Sequence, residues 1–560
     1  MAKHLVTSAL PYANGPLHFG HIAGVYLPAD IYTRHKRLQG HEVLHISGSD
    51  EHGVAIMQNA QKKKKPYKKY VDGWHKRHKD LFDKYDIHFS YFGQTSEPYH
   101  AEETLKWFHT LHDKGYIEKE DEKQLQCQNC SNYLPDRYVE GTCYVCGYEK
   151  ARGDECPNCG TWIDPLKLKN PVCQFCQSTD IQAVDVFQWY LKMSKYHSEF
   201  RKWFESKRGG WKKTVSSFID SLSKDELVDR AITRDLDWGI DVPLEEAKGK
   251  KLYVWFDAPI GYVSNTKELL KDTDQDYLKD WWQNKDVTLT HFIGKDNIIF
   301  HGIIFPVMSL ASGHAKAVDD LPANQYLNLM GKQFSKSQGW YVDAEEAIHE
   351  FGSDNLRYYL TTLIPENNDS SFTWEGYEAR VNNELANNIG NFVNRSMSFF
   401  KKNWPEGIEE SKFHAFFETD RSDNIKKTIE EFHEAIDNYQ IKKGLELLMG
   451  LGNEANLYFS DEAPWAQFKE DVDKAADTIA FSAVYTAILA VLFEPYLPNL
   501  SQKARDYFTG LEEIKSEIYN GEIESLKKIF SGNVVLAKKP KGLVKKVEAE
   551  RIKELTAQFS

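Results

Sequence analysis

All eight cysteines of this chain fall between residues 127 and 176, in the Cys-x-x-Cys pairs Cys127/Cys130, Cys143/Cys146, Cys156/Cys159 and Cys173/Cys176. Thiols crowded into so short a stretch mark a separate module. The N-terminus, Met-Ala-Lys-His-Leu-Val-Thr-Ser, carries no charged-then-apolar leader and no cleavage site, which predicts a cytoplasmic protein whose Cys pairs bind metal rather than form disulfides. The spacing is that of zinc knuckles, enough for two sites of four thiolates each, and it does not fix which pairs share an ion. No ligand position is left open in such sets, so both ions are expected to be structural.

The rest of the chain has ample material for cores. With 41% hydrophobic and 13% aromatic residues over 560 positions, it should hold about three or four structural units. Net charge is -13 and the pI about 5.9, so a nucleic-acid partner has to be held by local basic patches and not by overall charge. The longest apolar stretch, Ile479 to Phe493, is interrupted by Ser482, Tyr485 and Thr486 and falls short of the ~20 residues a bilayer-spanning helix needs. It predicts a core helix and no membrane partner.

Residues His4 to Leu10 read as a buried strand, followed by the turn Pro11-Tyr12-Ala13-Asn14-Gly15-Pro16 and a helix from near Leu17; a second strand, Glu42 to Ser47, runs into Gly48-Ser49-Asp50-Glu51-His52-Gly53. Strands alternating with helices predict an α/β fold with a parallel sheet, whose ligands sit at the carboxyl ends of the strands. The alternation is broken near residue 118 and resumes with Lys251 to Phe256 and Thr288 to Gly294, so the Cys-rich stretch is an insertion splitting one sheet. After Pro365 the patterns turn amphipathic and helical, as in Tyr377 to Lys401, Ser422 to Gly450 and Lys474 to Phe493. The expected division is 1–117 and 231–320 for the two halves of the sheet domain, 118–230 for the insertion, 321–375 for a loop region, 376–535 for an α-helical bundle, and 536–560 for a C-terminal peptide.

His18-Phe19-Gly20-His21 follows the first strand and its turn, with two imidazoles three residues apart on the first helical turn. A helix N-terminus binds anions, two histidines add donors for developing phosphate charge, and Gly20 permits flat approach of a base. The full run Ala9-Leu10-Pro11-Tyr12-Ala13-Asn14-Gly15-Pro16-Leu17-His18-Phe19-Gly20-His21 resembles the first signature of the class I aminoacyl-tRNA synthetases in its methionine-specific form. Lys332-Gln333-Phe334-Ser335-Lys336-Ser337 resembles the family's mobile Lys-Met-Ser-Lys-Ser loop, aligned on Ser335, Lys336 and Ser337; the first lysine of that pattern falls on Gln333, with Lys332 one position earlier.

What the resemblance implies is a Rossmann-type parallel sheet, and ATP-dependent activation of methionine and its transfer to the terminal ribose of tRNA(Met), with magnesium on the ATP phosphates. It assigns catalysis to His18, His21 and Lys336, and ATP binding to these with Gly20, Arg234, Gly294, Asp296, Ser335 and Ser337. Trp255, Ala258, Pro259 and Tyr262 in Tyr253 to Tyr262, with Leu10, Tyr12 and His301, would enclose the methionine side chain, and Asp50 would take its ammonium. An aromatic cavity suits a polarizable thioether, and a buried carboxylate needs a cationic partner. It also implies nesting of the cysteines, with Cys143, Cys146, Cys156 and Cys159 on one zinc and Cys127, Cys130, Cys173 and Cys176 on the other. Asn391 and Arg395, which share a helix face with Asn387, would read the anticodon with Trp465 as a stacking platform. The run Lys62 to Lys69 is a candidate backbone contact. No oligonucleotide-binding module follows, so a monomer is expected. The rival readings are a nucleotidyltransferase, which would not need the helical half, and a zinc-dependent RNA-binding factor that has lost activity.

Overall fold

The computed structural model describes residues 1–135, 138–153, 156–159, 161, 163–335 and 339–559. Five parallel strands form the central sheet, β1 (Lys3–Ser8), β2 (Glu42–Ser49), β3 (Tyr91–Gln94), β4 (Val287–Gly294) and β5 (Ala323–Asn324), in the order β5-β4-β1-β2-β3. Their near-continuous burial is what a parallel sheet covered on both faces requires. The chain builds outward from β1 through β2 to β3 and later returns to the other side of β1 with β4. A topological switch point therefore opens at the carboxyl ends of β1 and β4, where such sheets bind ligands.

Between β3 and β4 an antiparallel ladder pairs Ile117–Cys127 with Ile181–Leu191 along its whole length. It carries at its tip a small sheet of Val139–Thr142, Ala151–Arg152 and Lys169–Cys173. That tip has a core of its own, in which Leu134, Tyr138 and Val139 join the buried cysteines and pack on Val54 and Met57, from the helix that follows β2. The helices His197–Arg208 and Lys213–Ser223 bury Phe200, Phe204 and Ile219 in the main core instead.

Two element readings are corrected. Lys251 to Phe256 is not a strand: only Lys251–Leu252 pairs, and Val254–Asp257 turns into a helix that runs through a short 3-10 turn, Ala258–Ile260, into the helix Gly261–Leu270. A short buried apolar run carries no periodicity to tell the two states apart. Ser422 to Gly450 is not one helix but two, Asp420–Asp437 and Ile441–Glu462. Tyr439 breaks them with a φ of 58° and sends its ring against Tyr32 and Phe292 of the sheet domain. The helix Val472–Leu492 is long and apolar enough to cross a membrane, yet 89% of its most apolar window is buried in the bundle, as expected of a core helix.

Candidate active site

The first signature sits where β1 ends. His18 is the N-cap of the turn Phe19–His21: its Nδ1 accepts from the Gly20 N–H at 3.1 Å, and its own N–H donates to His21 Nδ1 at 3.1 Å. This reciprocal capping holds the two rings 3.8 Å apart. Gly20 is closely packed, since a Cβ there would stand 3.0 Å from the His18 ring and 3.5 Å from Phe334. Phe334, from the second signature, lies flat on His18 with centroids 4.5 Å apart and planes 4° from parallel. The two signatures thus meet in one stack. Ser335 is paired with Trp340, while Lys336 and Ser337 lie outside the described residues.

A second group of residues comes together from the ends of β1 and β2 and from two later segments. Tyr12 and Asp50 pair as a parallel bridge, and Leu10 packs within 3.2 Å of the place a Cβ on Gly261 would take. The Tyr262 hydroxyl donates to His301 Nε2 at 2.9 Å, because His301 Nδ1 is committed to the Asn297 carbonyl at 3.1 Å. Burial pushes His301 down to about 4, so it is a neutral acceptor. Trp255 meets Phe300, next to His301, at 4.9 Å. Ala258 and Pro259 form the short 3-10 turn between them.

Asp50 is 6% exposed and its Oδ1 has no hydrogen-bond partner among the described residues. Burial, with the negative charge of Asp257 added, raises its carboxyl well above the usual range. Burial acts on Asp257 in the same direction but is outweighed by His52, whose Nδ1 donates to Asp257 Oδ2 at 2.6 Å, and by His100 at 3.6 Å; Asp257 is held below the ordinary value. His52, His100 and Asp257 were not singled out by the sequence. His52 and Asp257 lie within quoted motifs, but nothing in their spacing says that they touch.

Gly294 and Asp296 stand at the end of β4, where a Cβ on Gly294 would come within 2.8 Å of Asp296 Oδ1. Arg234 donates to the carbonyls of Ala231 and Thr233 and lays its guanidinium 4.1 Å over Tyr253, beside Trp255.

The cysteines gather into two sets of four, Cys143, Cys146, Cys156 and Cys159 in one and Cys127, Cys130, Cys173 and Cys176 in the other, each with sulfurs within 4.8 Å. Neighbouring sulfurs are 3.5 to 4.0 Å apart, far beyond a disulfide's ~2.05 Å. Four thiolates ~2.3 Å from a tetrahedral zinc would be ~3.8 Å from one another, so both sets fit the ion. In the helical half Asn387, Asn391 and Arg395 are exposed on one face. The Arg395 guanidinium lies 5.0 Å over Trp465, which is 41% exposed.

Comparison with known proteins agrees along the whole chain. Residues 4–397 match the profile of tRNA synthetases class I (M), and residues 405–560 that of the anticodon binding domain of methionyl tRNA ligase. Methionine--tRNA ligase of Pyrococcus furiosus is 40% identical over 530 residues, which span 92% of this chain and 73% of that protein. The Chloroherpeton thalassium enzyme of the same name is 39% identical over 537 residues, 94% and 76% of the two chains. Among solved structures, Mycobacterium tuberculosis methionyl-tRNA synthetase bound by methionyl-adenylate shares the fold with a TM-score of 0.78 at 22% identity, covering 97% of this chain and 100% of that one.

Proposed function

Since the chain belongs to the methionine-specific class I tRNA synthetases, we propose that the cleft at the ends of β1, β2 and β4 is where methionine and ATP react. The enzyme activates L-methionine with ATP and transfers it to the 3'-terminal ribose of tRNA(Met). In the first step a methionine carboxylate oxygen bonds to the α-phosphorus of magnesium-bound ATP, the bond to the β-phosphate breaks, and pyrophosphate leaves with that electron pair. In the second a ribose hydroxyl attacks the methionyl carbonyl carbon, AMP departs, and the hydroxyl proton is released.

The observation that carries this reading is the stack of Phe334 on His18, which brings the two signatures into contact. His18 and His21 supply donors to the charge that grows on the phosphates, and Lys336 does so from the second signature; removing one such donor typically costs about 100- to 1000-fold in rate. Gly20 lets the adenine lie flat, Gly294 and Asp296 hold the ribose, Ser335 and Ser337 flank the lysine, and Arg234 completes the ATP contacts. Asp50 takes the methionine ammonium. Leu10, Tyr12, Trp255, Ala258, Pro259, Tyr262 and His301 surround the thioether, where one methylene is worth ~1–3 kcal/mol, so homocysteine competes. No protein nucleophile is needed; positioning and charge stabilisation do the chemistry.

Asn391, Arg395 and Trp465 read the anticodon. Each cysteine set holds one zinc ion, which crosslinks the module and takes no part in either step. The enzyme acts as a monomer in the cytoplasm. ATP-pyrophosphate exchange with methionine, homocysteine, leucine, isoleucine or cysteine supplied singly tests the reading. Exchange strongest with methionine is expected, and none with any of them would leave an RNA-binding protein in its place.

A further inference from the structure

Trp340 stands at the base of the second-signature loop. Its backbone exchanges both hydrogen bonds with Ser335 at 2.9 Å, its indole N–H donates to the Leu329 carbonyl at 3.0 Å, and the Lys332 ammonium lies 4.6 Å over its ring. The hairpin beneath is minimal, Lys332–Gln333 against Leu327–Leu329, joined through Met330 and Gly331, both at positive φ. Leu327–Leu329 is held on its other edge by parallel pairing with Ser370–Phe372, so it is the two-residue outer strand that depends most on what packs beside it. What packs on Trp340 is Phe559, edge-on at 5.4 Å and 83°.

Phe559 arrives on a segment tied down at every stage. Val544 stands 3.3 Å from the place a Cβ on Gly390 would occupy. The Lys545 carbonyl accepts from Asn355 at 3.0 Å, and the Val547 backbone makes both bonds to the Asn382 amide at 2.9 and 2.8 Å. Arg551 binds Glu350 through two nitrogens at 2.5 and 2.9 Å. Gly390 directly precedes Asn391, and Glu350 is on the helix Ala344–Phe351, whose cap Asp343 pairs with His18. One segment therefore runs from the proposed anticodon face to the loop at the reaction centre.

We propose that Phe559 is a positioning residue for the activation step. Acting through Trp340, it holds the base of the signature loop, and with it the Lys332 ammonium, in register with the Phe334–His18 stack. The proposal rests on the activation reaction given above. Donors aimed at a leaving pyrophosphate act only if held within a fraction of an ångström, and the Phe559 contact keeps Trp340, and so Lys332, from wandering.

The test uses the full chain with Phe559→Ala, Phe559→Tyr and, as a control on the helix Ala549–Ala557 just before it, Lys553→Ala. Two quantities are read: hydrogen exchange of the Ser335 and Trp340 amides without substrates, and kcat and KM in ATP-pyrophosphate exchange. Phe559→Ala is expected to speed exchange of both amides and to lower kcat about fivefold, with the methionine KM within twofold of wild type. Phe559→Tyr restores both, and Lys553→Ala changes neither. Wild-type protection of those amides in Phe559→Ala, or a loss spread equally over methionine KM and melting temperature, overturns the proposal. Amide exchange is read without any reaction, so a wild type silent in pyrophosphate exchange would fault the proposed function and leave this inference to the amides.

Discussion

Asp50 and Asp257 are two buried carboxylates, and their environments push them apart. Asp257 has His52 and His100, whereas Asp50 accepts a backbone bond from His52 and has no cationic side chain among the causes that shift it. A raised acid means that, as pH climbs, the unfolded chain gives up its proton first, from the ordinary ~3.9. The ligand-free protein therefore loses stability from there up to the raised value. Asp50→Asn should stabilise the free chain by on the order of 1 kcal/mol in a denaturant melt while abolishing measurable methionine binding. In wild type, methionine Kd should fall as pH rises through the Asp50 titration, with a proton released on binding that calorimetry in buffers of different ionisation enthalpy would detect. A pH-independent Kd would show that Asp50 is not the ammonium partner. Asp50 was singled out through the family resemblance, whereas His52, His100 and Asp257 come together only through packing.

At the scale of elements the Cys-rich tip is the clearest unit, having its own core and two thiolate sets. Elemental analysis of the purified chain should give two zinc per molecule; Cys156→Ser should give one, with the outer set still loaded, because the ligand sets do not share sulfurs. Structural zinc contributes ~10–16 kcal/mol to such folds in isolated peptides, so the tip should unfold in chelator. The helical half reads differently: Trp465 is exposed beside Arg395 at a turn where Ala463 takes a φ of 45° ahead of Pro464. Trp465→Ala should cut kcat/KM for tRNA by about tenfold or more, given ~1–3 kcal/mol per stacked base, and leave pyrophosphate exchange untouched. Equal losses in both assays would deny it a role in RNA reading. The amphipathic period disclosed these helices, but not the break at Tyr439, since a positive φ at a non-glycine residue is imposed by the neighbouring domain.

Across the whole molecule, the sheet domain and the bundle are joined by Arg357. Its guanidinium is fully buried and donates to Asp30, to the carbonyls of Tyr85 and Asp86, and to those of Pro495 and Tyr496. Burial would raise Asp30, but Arg34 and Arg357 outweigh it and hold the carboxyl down at about 2. The stability this provides is fully present above the unfolded value of ~3.9 and lost as pH falls toward about 2. Arg357→Met should cost ~3–5 kcal/mol by leaving Asp30 buried with less counter-charge, and calorimetry should show both halves melting earlier. A small shift confined to one half would mean that the joint lies elsewhere.

By itself the sequence determined the fold class, the strand ends that carry the signatures, the core helix near residue 480 and the grouping of thiols in one module. These are written in local periodicity, turn chemistry and spacing, which the backbone enforces over a few residues. Only the tertiary structure decided that Phe334 lies on His18, that His52 and His100 hold Asp257 while Asp50 Oδ1 finds no partner among the described residues, and that Phe559 meets Trp340. Such contacts join segments hundreds of residues apart through packing that has no period along the chain, so they come into being only when the chain closes on itself.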